Sequence, residues 1–163
     1  MRIIQTILLI FFVALISVTL LPKLEIFFSL PKLILVISLL FLFYNEFKKG
    51  LIWASLGGLF LDFLSPGLPY NILFTTVIFL LAWLLIQRIF ESSNIYLFLI
   101  FCFFGSLIYD YLFAIFYHLS PLSFTLLLNG LYTTFFGLIF VLVYRQLQRR
   151  IKKKFSLVHW EPQ

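Results

Sequence analysis

Short polar or proline-bearing breaks cut the chain into six apolar runs, at residues 3–21, 30–44, 51–64, 71–90, 95–118 and 123–145. That pattern leaves few folds open. A helix needs about 20 apolar residues, at about 1.5 Å each, to cross the ~30 Å hydrocarbon core of a bilayer. The first, fourth, fifth and sixth runs are that long. The second is short, with Ile26-Phe27-Phe28 available to lengthen it. The third holds roughly 14 residues, about 21 Å of helix, and falls short. Residues are 63% hydrophobic and 11% charged, where a soluble domain carries about 25% charged residues. No water-soluble fold hides that much apolar surface, so the expected solvent is lipid. The expected fold is all-α: a polytopic six-transmembrane-helix bundle over 1–145, followed by a basic cytoplasmic tail over 146–163.

The breaks have physical causes. Pro22 disfavours helical geometry in the residue before it. Pro31 fits a first helical turn, where its missing N–H is harmless. Ser65-Pro66-Gly67-Leu68-Pro69 is a turn, Ser92-Ser93-Asn94 a short loop, and Ser120-Pro121-Leu122-Ser123 a tight reversal. Basic residues fall unevenly between the two sides that six spans create. One side carries Arg2, Lys48, Lys49, Arg88, Arg145, Arg149, Arg150, Lys152, Lys153 and Lys154; the other carries only Lys23 and Lys32. The positive-inside rule then places both termini in the cytoplasm. The basic run Arg149, Arg150, Lys152, Lys153 and Lys154 is expected to bind anionic inner-leaflet lipid, with docking of a cytoplasmic protein as the alternative.

Two acids stand inside these apolar runs. Asp62 closes Gly57-Gly58-Leu59-Phe60-Leu61-Asp62, and Asp110 closes Gly105-Ser106-Leu107-Ile108-Tyr109-Asp110. A charged side chain at the bilayer centre costs at least ~2.5–3.5 kcal/mol, so such groups face protein and commonly serve a function. Residues four apart share a helix face. Those faces read Ala54, Gly58, Asp62 and Cys102, Ser106, Asp110, related by one constant offset. Small residues let membrane helices approach closely. Three readings stay open at this point: structural acids bonded to loop backbone or a neighbouring helix, partner contact, and ion or substrate handling. The partner reading makes Ala54, Gly58 and Asp62 one wall of a groove for another protein's transmembrane helix, with Cys102, Ser106 and Asp110 as a second wall. Asp62 sits near the C-terminal, negative end of its helix, so it needs a cation, donors or water. Lys32, Ser65, Asn71 and Asn129 are expected to form a polar layer with it, with Lys23, Tyr70, Tyr109 and Tyr111 as further candidates.

Other chemistry finds little footing. Cys102 is the single cysteine, which excludes an internal disulfide. His118 and His159 fall on opposite sides of the expected membrane, so no metal site is expected. There is no phosphate loop, zinc-protease motif or nucleophile elbow. The chain is expected to be no enzyme, to need no cofactor and to bind no nucleic acid.

Several stretches resemble the rod shape-determining protein MreD family of bacterial inner-membrane proteins. Pro31-Lys32-Leu33-Ile34-Leu35 is similar to that family's Pro-x-Leu-Leu-Leu opening of the second span. Tyr44, Lys48-Lys49-Gly50, Asn129 and Tyr144-Arg145 also fit. The run from Gly57 to Ser65 resembles its Gly-x-x-x-Asp-Leu-x-Ser signature. Lys32 departs from the pattern, standing where the family often has Asp or Asn. The resemblance implies a non-enzymatic scaffold of the cell-elongation machinery that makes peptidoglycan, binding MreC within the inner membrane. Through MreC it would reach RodA with its transpeptidase partner, and MreB indirectly. It also implies a bundle like the substrate-binding subunits of energy-coupling-factor transporters. That likeness supplies the rival function, a small-molecule-binding subunit of a vitamin-type transporter.

Overall fold

The computed structural model describes residues 2–19, 31–65, 70–89, 95–116 and 123–158. Among them it is all-helical: α1 (Arg2–Thr19), α2 (Leu33–Phe43), α3 (Phe47–Leu64), α4 (Asn71–Ile89), α5 (Ile95–Phe116) and α6 (Ser123–Val158). The expected extension at Ile26-Phe27-Phe28, Lys23, both histidines and the turns at 66–69 and 92–94 lie outside the described residues. Two helices, over Ile95–Phe116 and Phe124–Leu147, are long and apolar enough to cross a membrane.

The shortest helix holds the centre. α2 has only 11 residues, about 16 Å of helix, yet nearly all of them are buried, from Leu33 to Phe43. It is apolar on every side, as a helix wrapped by others must be, and it touches all five of the rest. α1 lies outermost, against α3 and α2 only. Its exposed Ile3, Ile4 and Leu8 form an apolar outer surface.

Two boundaries differ from the sequence reading, each for a local reason. In the break at residues 45–50 only Asn45 and Glu46 lie outside the helices. α2 ends in a Schellman motif: Asn45 takes φ 59°, its N–H donates to the Leu42 carbonyl at 3.0 Å, and the Glu46 N–H donates to the Phe41 carbonyl at 2.9 Å. The reversal is so tight that α3 begins at Phe47, and Lys48-Lys49-Gly50 form its first turn. Lys49 reaches back to Glu46 at 2.7 Å. With 18 residues, α3 is about 27 Å long. The second difference is at the C-terminus. α6 does not stop at Arg145 but continues as one helix of 36 residues to Val158, about 54 Å in all. The region read as a separate tail from 146 onward is therefore helical over most of its length.

The two ends of the bundle differ in chemistry. Where α2 ends and α3 begins, aromatic rings close the bundle. Tyr44 meets Tyr144 at 4.3 Å between centroids, Phe47 meets Trp83 at 4.7 Å, and Phe43 meets Phe98 edge-on at 5.3 Å. At the opposite end, where α2 and α4 begin, the contacts are polar.

Candidate functional site: a polar layer at one end of the bundle

Asp62 reaches the start of the next helix. Its Oδ1 accepts the Asn71 backbone N–H at 2.8 Å and the Asn71 Nδ2 at 2.7 Å, and its Oδ2 accepts the Ile72 N–H at 2.9 Å. The first N–H groups of a helix have no partner within it, and they carry the positive end of its dipole. Asp62 thus leaves the negative end of α3 for the positive end of α4, without needing a cation. The Asn71 amide oxygen accepts the Tyr109 hydroxyl, which ties α5 to the same point.

Gly58 makes this contact possible. A Cβ there would sit 2.5 Å from the Ile72 Cα and 2.5 Å from Thr75 Oγ1, so only glycine lets the first turn of α4 come this close. One turn earlier, Thr75 Oγ1 lies 2.8 Å from the Ala54 carbonyl and 2.7 Å from the carbonyl of Asn71, so its hydrogen is shared between two acceptors. Ala54 is fully buried. The face that reads as one wall of a partner's groove is therefore filled by α4 of the same chain.

Asp110 does the same work with side chains. Lys32 Nζ lies 3.0 Å from its Oδ1, and Asn129 Nδ2 donates to its Oδ2 at 2.8 Å. The Lys32 and Asp110 side chains are 23% and 10% exposed, so both charges are largely out of solvent. The ammonium also sits 4.7 Å from the centre of the Tyr109 ring, a favourable cation–π position. Thr133 takes the Lys32 backbone N–H at 3.3 Å and lies 3.2 Å from Ser106 Oγ. Ser106 is fully buried, and Cys102 packs against Gly137, where a Cβ would meet its sulfur at 3.2 Å. The second small-residue face is thus filled by α6, with α2 supplying the cation.

The layer joins five helices: Asp62 on α3, Asn71 on α4, Tyr109 and Asp110 on α5, Asn129 on α6, and Lys32 at the head of α2. Ser65 stands beside it, extended at φ −96° as a residue before proline must be. Tyr111 faces away and is exposed. The side chains of Arg149 to Lys154 lie outside the described residues. Thr75 and Thr133 are structural members that sequence reasoning missed, since a lone threonine in an apolar run carries no pattern.

The two carboxylates do not face each other. Each is held by its own donors, and the path between them runs through Asn71, Tyr109 and Lys32. Such an arrangement locks helices together. It does not set the two carboxylates across one site from each other, as a pair of catalytic acids would stand. Replacing Asp62 with Ala should strand three donors at the head of α4. Bonds to a charged group contribute about 1.5–3 kcal/mol each when lost singly, and coupled losses do not add. The expected loss of unfolding free energy is about 2–4 kcal/mol by denaturant titration in detergent, with Asp62→Asn falling between that variant and the parent.

Among the described residues no cluster of three or more His, Cys, Asp or Glu is placed to hold a metal. A cavity of about 220 Å³ adjoins the layer, reached by Ser17, Lys32, Ser65, Asn71, Thr75 and Tyr109. No family model, no curated protein and no solved structure matches this chain.

Proposed function

We propose that this chain is a multi-pass protein of the bacterial inner membrane, with six spans and both termini cytoplasmic. In this reading it is a non-enzymatic scaffold of the cell-elongation machinery that binds MreC within the membrane and connects through it to RodA and, indirectly, to MreB. The observation that carries the reading is the Gly57–Ser65 run, the most specific part of the resemblance to MreD proteins. Its Gly58 and Asp62 make a close backbone approach and the three-bond clasp of the α3–α4 hairpin. A motif used this way fixes the shape that a partner meets. Ala54, Gly58, Asp62, Ser106 and Asp110 then act on partner binding from inside the bundle, and the partner's helix rests on the outward faces. The uneven spread of basic residues supports the orientation, and the basic end of α6 supports contact with anionic lipid.

Gentle purification from native membranes, with identification of what co-elutes, tests the scaffold reading. A stoichiometric single-pass membrane protein with an outer domain is the expected companion. Recovery of a stoichiometric small molecule with no protein partner would instead support the transporter-subunit reading. The cavity beside the polar layer is the feature that favours that rival, but at about 220 Å³ it is smaller than the ~300–1,000 Å³ of typical ligand pockets.

A further inference from the structure

We propose that the cavity at the polar end is a binding site for one small anionic group, a phosphate or carboxylate head. This site does not depend on the scaffold reading.

The argument begins with what faces the cavity and what does not. Lys32, Asn71, Ser65 and Ser17 line it, whereas Asp62 and Asp110 do not. The two acids instead bond to the lining donors Lys32 and Asn71. An ammonium has three hydrogens, and Asp110 needs one of Lys32's; a side-chain amide has two, and Asp62 takes one of Asn71's. Each of these lining donors therefore keeps hydrogens that its acid does not claim. Residues 31–35 also line the cavity, so the head of α2 opens onto the space. Lys32 precedes that helix and gives it no side-chain cap, so the positive end of the α2 dipole adds to the ammonium.

Thr75 and Tyr109 complete the polar lining, and the remaining walls, among them Val18, Leu33 and Leu61, are apolar. Charge interactions are stronger in such surroundings than in water. The volume, about 220 Å³, is several times the ~30 Å³ share of a water molecule. It fits a head group and is small for a vitamin. The anion has two possible sources, a free ion from solution or the head of a membrane phospholipid. Both present the same chemistry to Lys32.

The test uses the full-length protein in nanodiscs of phosphatidylcholine. Inorganic phosphate is titrated in one arm, and phosphatidylglycerol is introduced into the discs in the other. Binding is read from the thermal unfolding midpoint and from lipid retained in native mass spectrometry. Ser17→Leu and Ser65→Leu fill the cavity from α1 and α3. Ser17 bonds only to the Val13 carbonyl of its own helix, so neither change breaks a bond of the polar layer.

The parent protein should bind one probe, and each filling variant should bind it at least roughly tenfold more weakly with its ligand-free midpoint unchanged; tenfold is the loss of about one charge-assisted bond. A phosphate response alone identifies a free anion, and a phosphatidylglycerol response alone identifies a lipid head. Lys32→Met combined with Asp110→Asn removes the cation while keeping the layer neutral, and should also abolish binding. The proposal fails if neither probe binds the parent. It fails equally if the filled variants, or the neutral pair in case the filled ones do not fold, bind as tightly as the parent.

Discussion

Gly58→Leu should unfold the α3–α4 hairpin. The first atom of the new side chain would meet the Ile72 Cα at 2.5 Å and the Asn71 carbonyl at 2.9 Å. Both are backbone atoms that cannot turn aside. Overpacking against side chains typically costs about 1–3 kcal/mol. Here α4 must move as a body, which also pulls Asn71 and Ile72 off Asp62 and Thr75 off the Ala54 carbonyl. A loss of at least about 3 kcal/mol is expected, and on the proposed scaffold reading partner capture is lost alongside. Gly105→Ala, set beside Gly58→Ala, is the matched control. The Cβ added at Gly105 would lie 3.3 Å from an Ile78 methyl and 3.4 Å from a Leu35 methyl, both ends of side chains that can yield, so the change should stay within about 1 kcal/mol. Equal losses for the two glycines, by denaturant titration in detergent, would remove close backbone approach as the reason for Gly58.

Lys32 and Asp110 should matter most when separated. Removing one member of a buried ion pair typically costs about 3–5 kcal/mol, because the other charge is left unpaired in a poor solvent, whereas a neutral pair of similar size is often tolerated. Lys32→Met and Asp110→Asn should therefore each lower stability by about that much. The two together should recover most of the loss, since the new amide can still accept from Asn129. A double-mutant cycle reads this directly. Losses that simply add would mean that the 3.0 Å contact contributes little to the fold.

Much of the fold could be read from the sequence, and for one reason. Apolar runs in a chain this poor in charge leave only helices, and prolines and polar clusters mark where they break. Where charge entered a helix, that reasoning misplaced the helix ends: α3 already begins before Lys48-Lys49, and α6 runs past Arg145 to Val158. Nothing in hydropathy distinguishes a charged helix from a charged loop.

The site was legible in part. Lys32, Asn71 and Asn129 could be named because a polar side chain in an apolar run needs a partner. What fills a small-residue face could not be named. Glycine and alanine at four-residue spacing say that a helix comes close, but not whose helix it is. Here it is the next one along the chain at both places, α4 on α3 and α6 on α5. The recurrence of Ala54-Gly58-Asp62 as Cys102-Ser106-Asp110 is thus a recurrence of hairpins. The acids differ in what they hold: the first binds backbone, the second a cation and an amide.

On the proposed six-span reading, that difference has a consequence for biogenesis. A chain that enters the membrane from its N-terminus exposes each polar group before all of its partners exist. Asp62 waits only for residues nine and ten positions later, so α3 and α4 can leave the insertion machinery as a finished pair. Lys32 waits much longer, because Asp110 arrives only with α5, the third helix after its own. Until then its long side chain has to extend toward the head groups, as lysines near helix ends do. The central helix is therefore held at the bilayer edge by an unneutralised charge until α5 releases it. On that reading the order of assembly follows from which charge meets its partner early, Asp62, and which has to wait, Lys32.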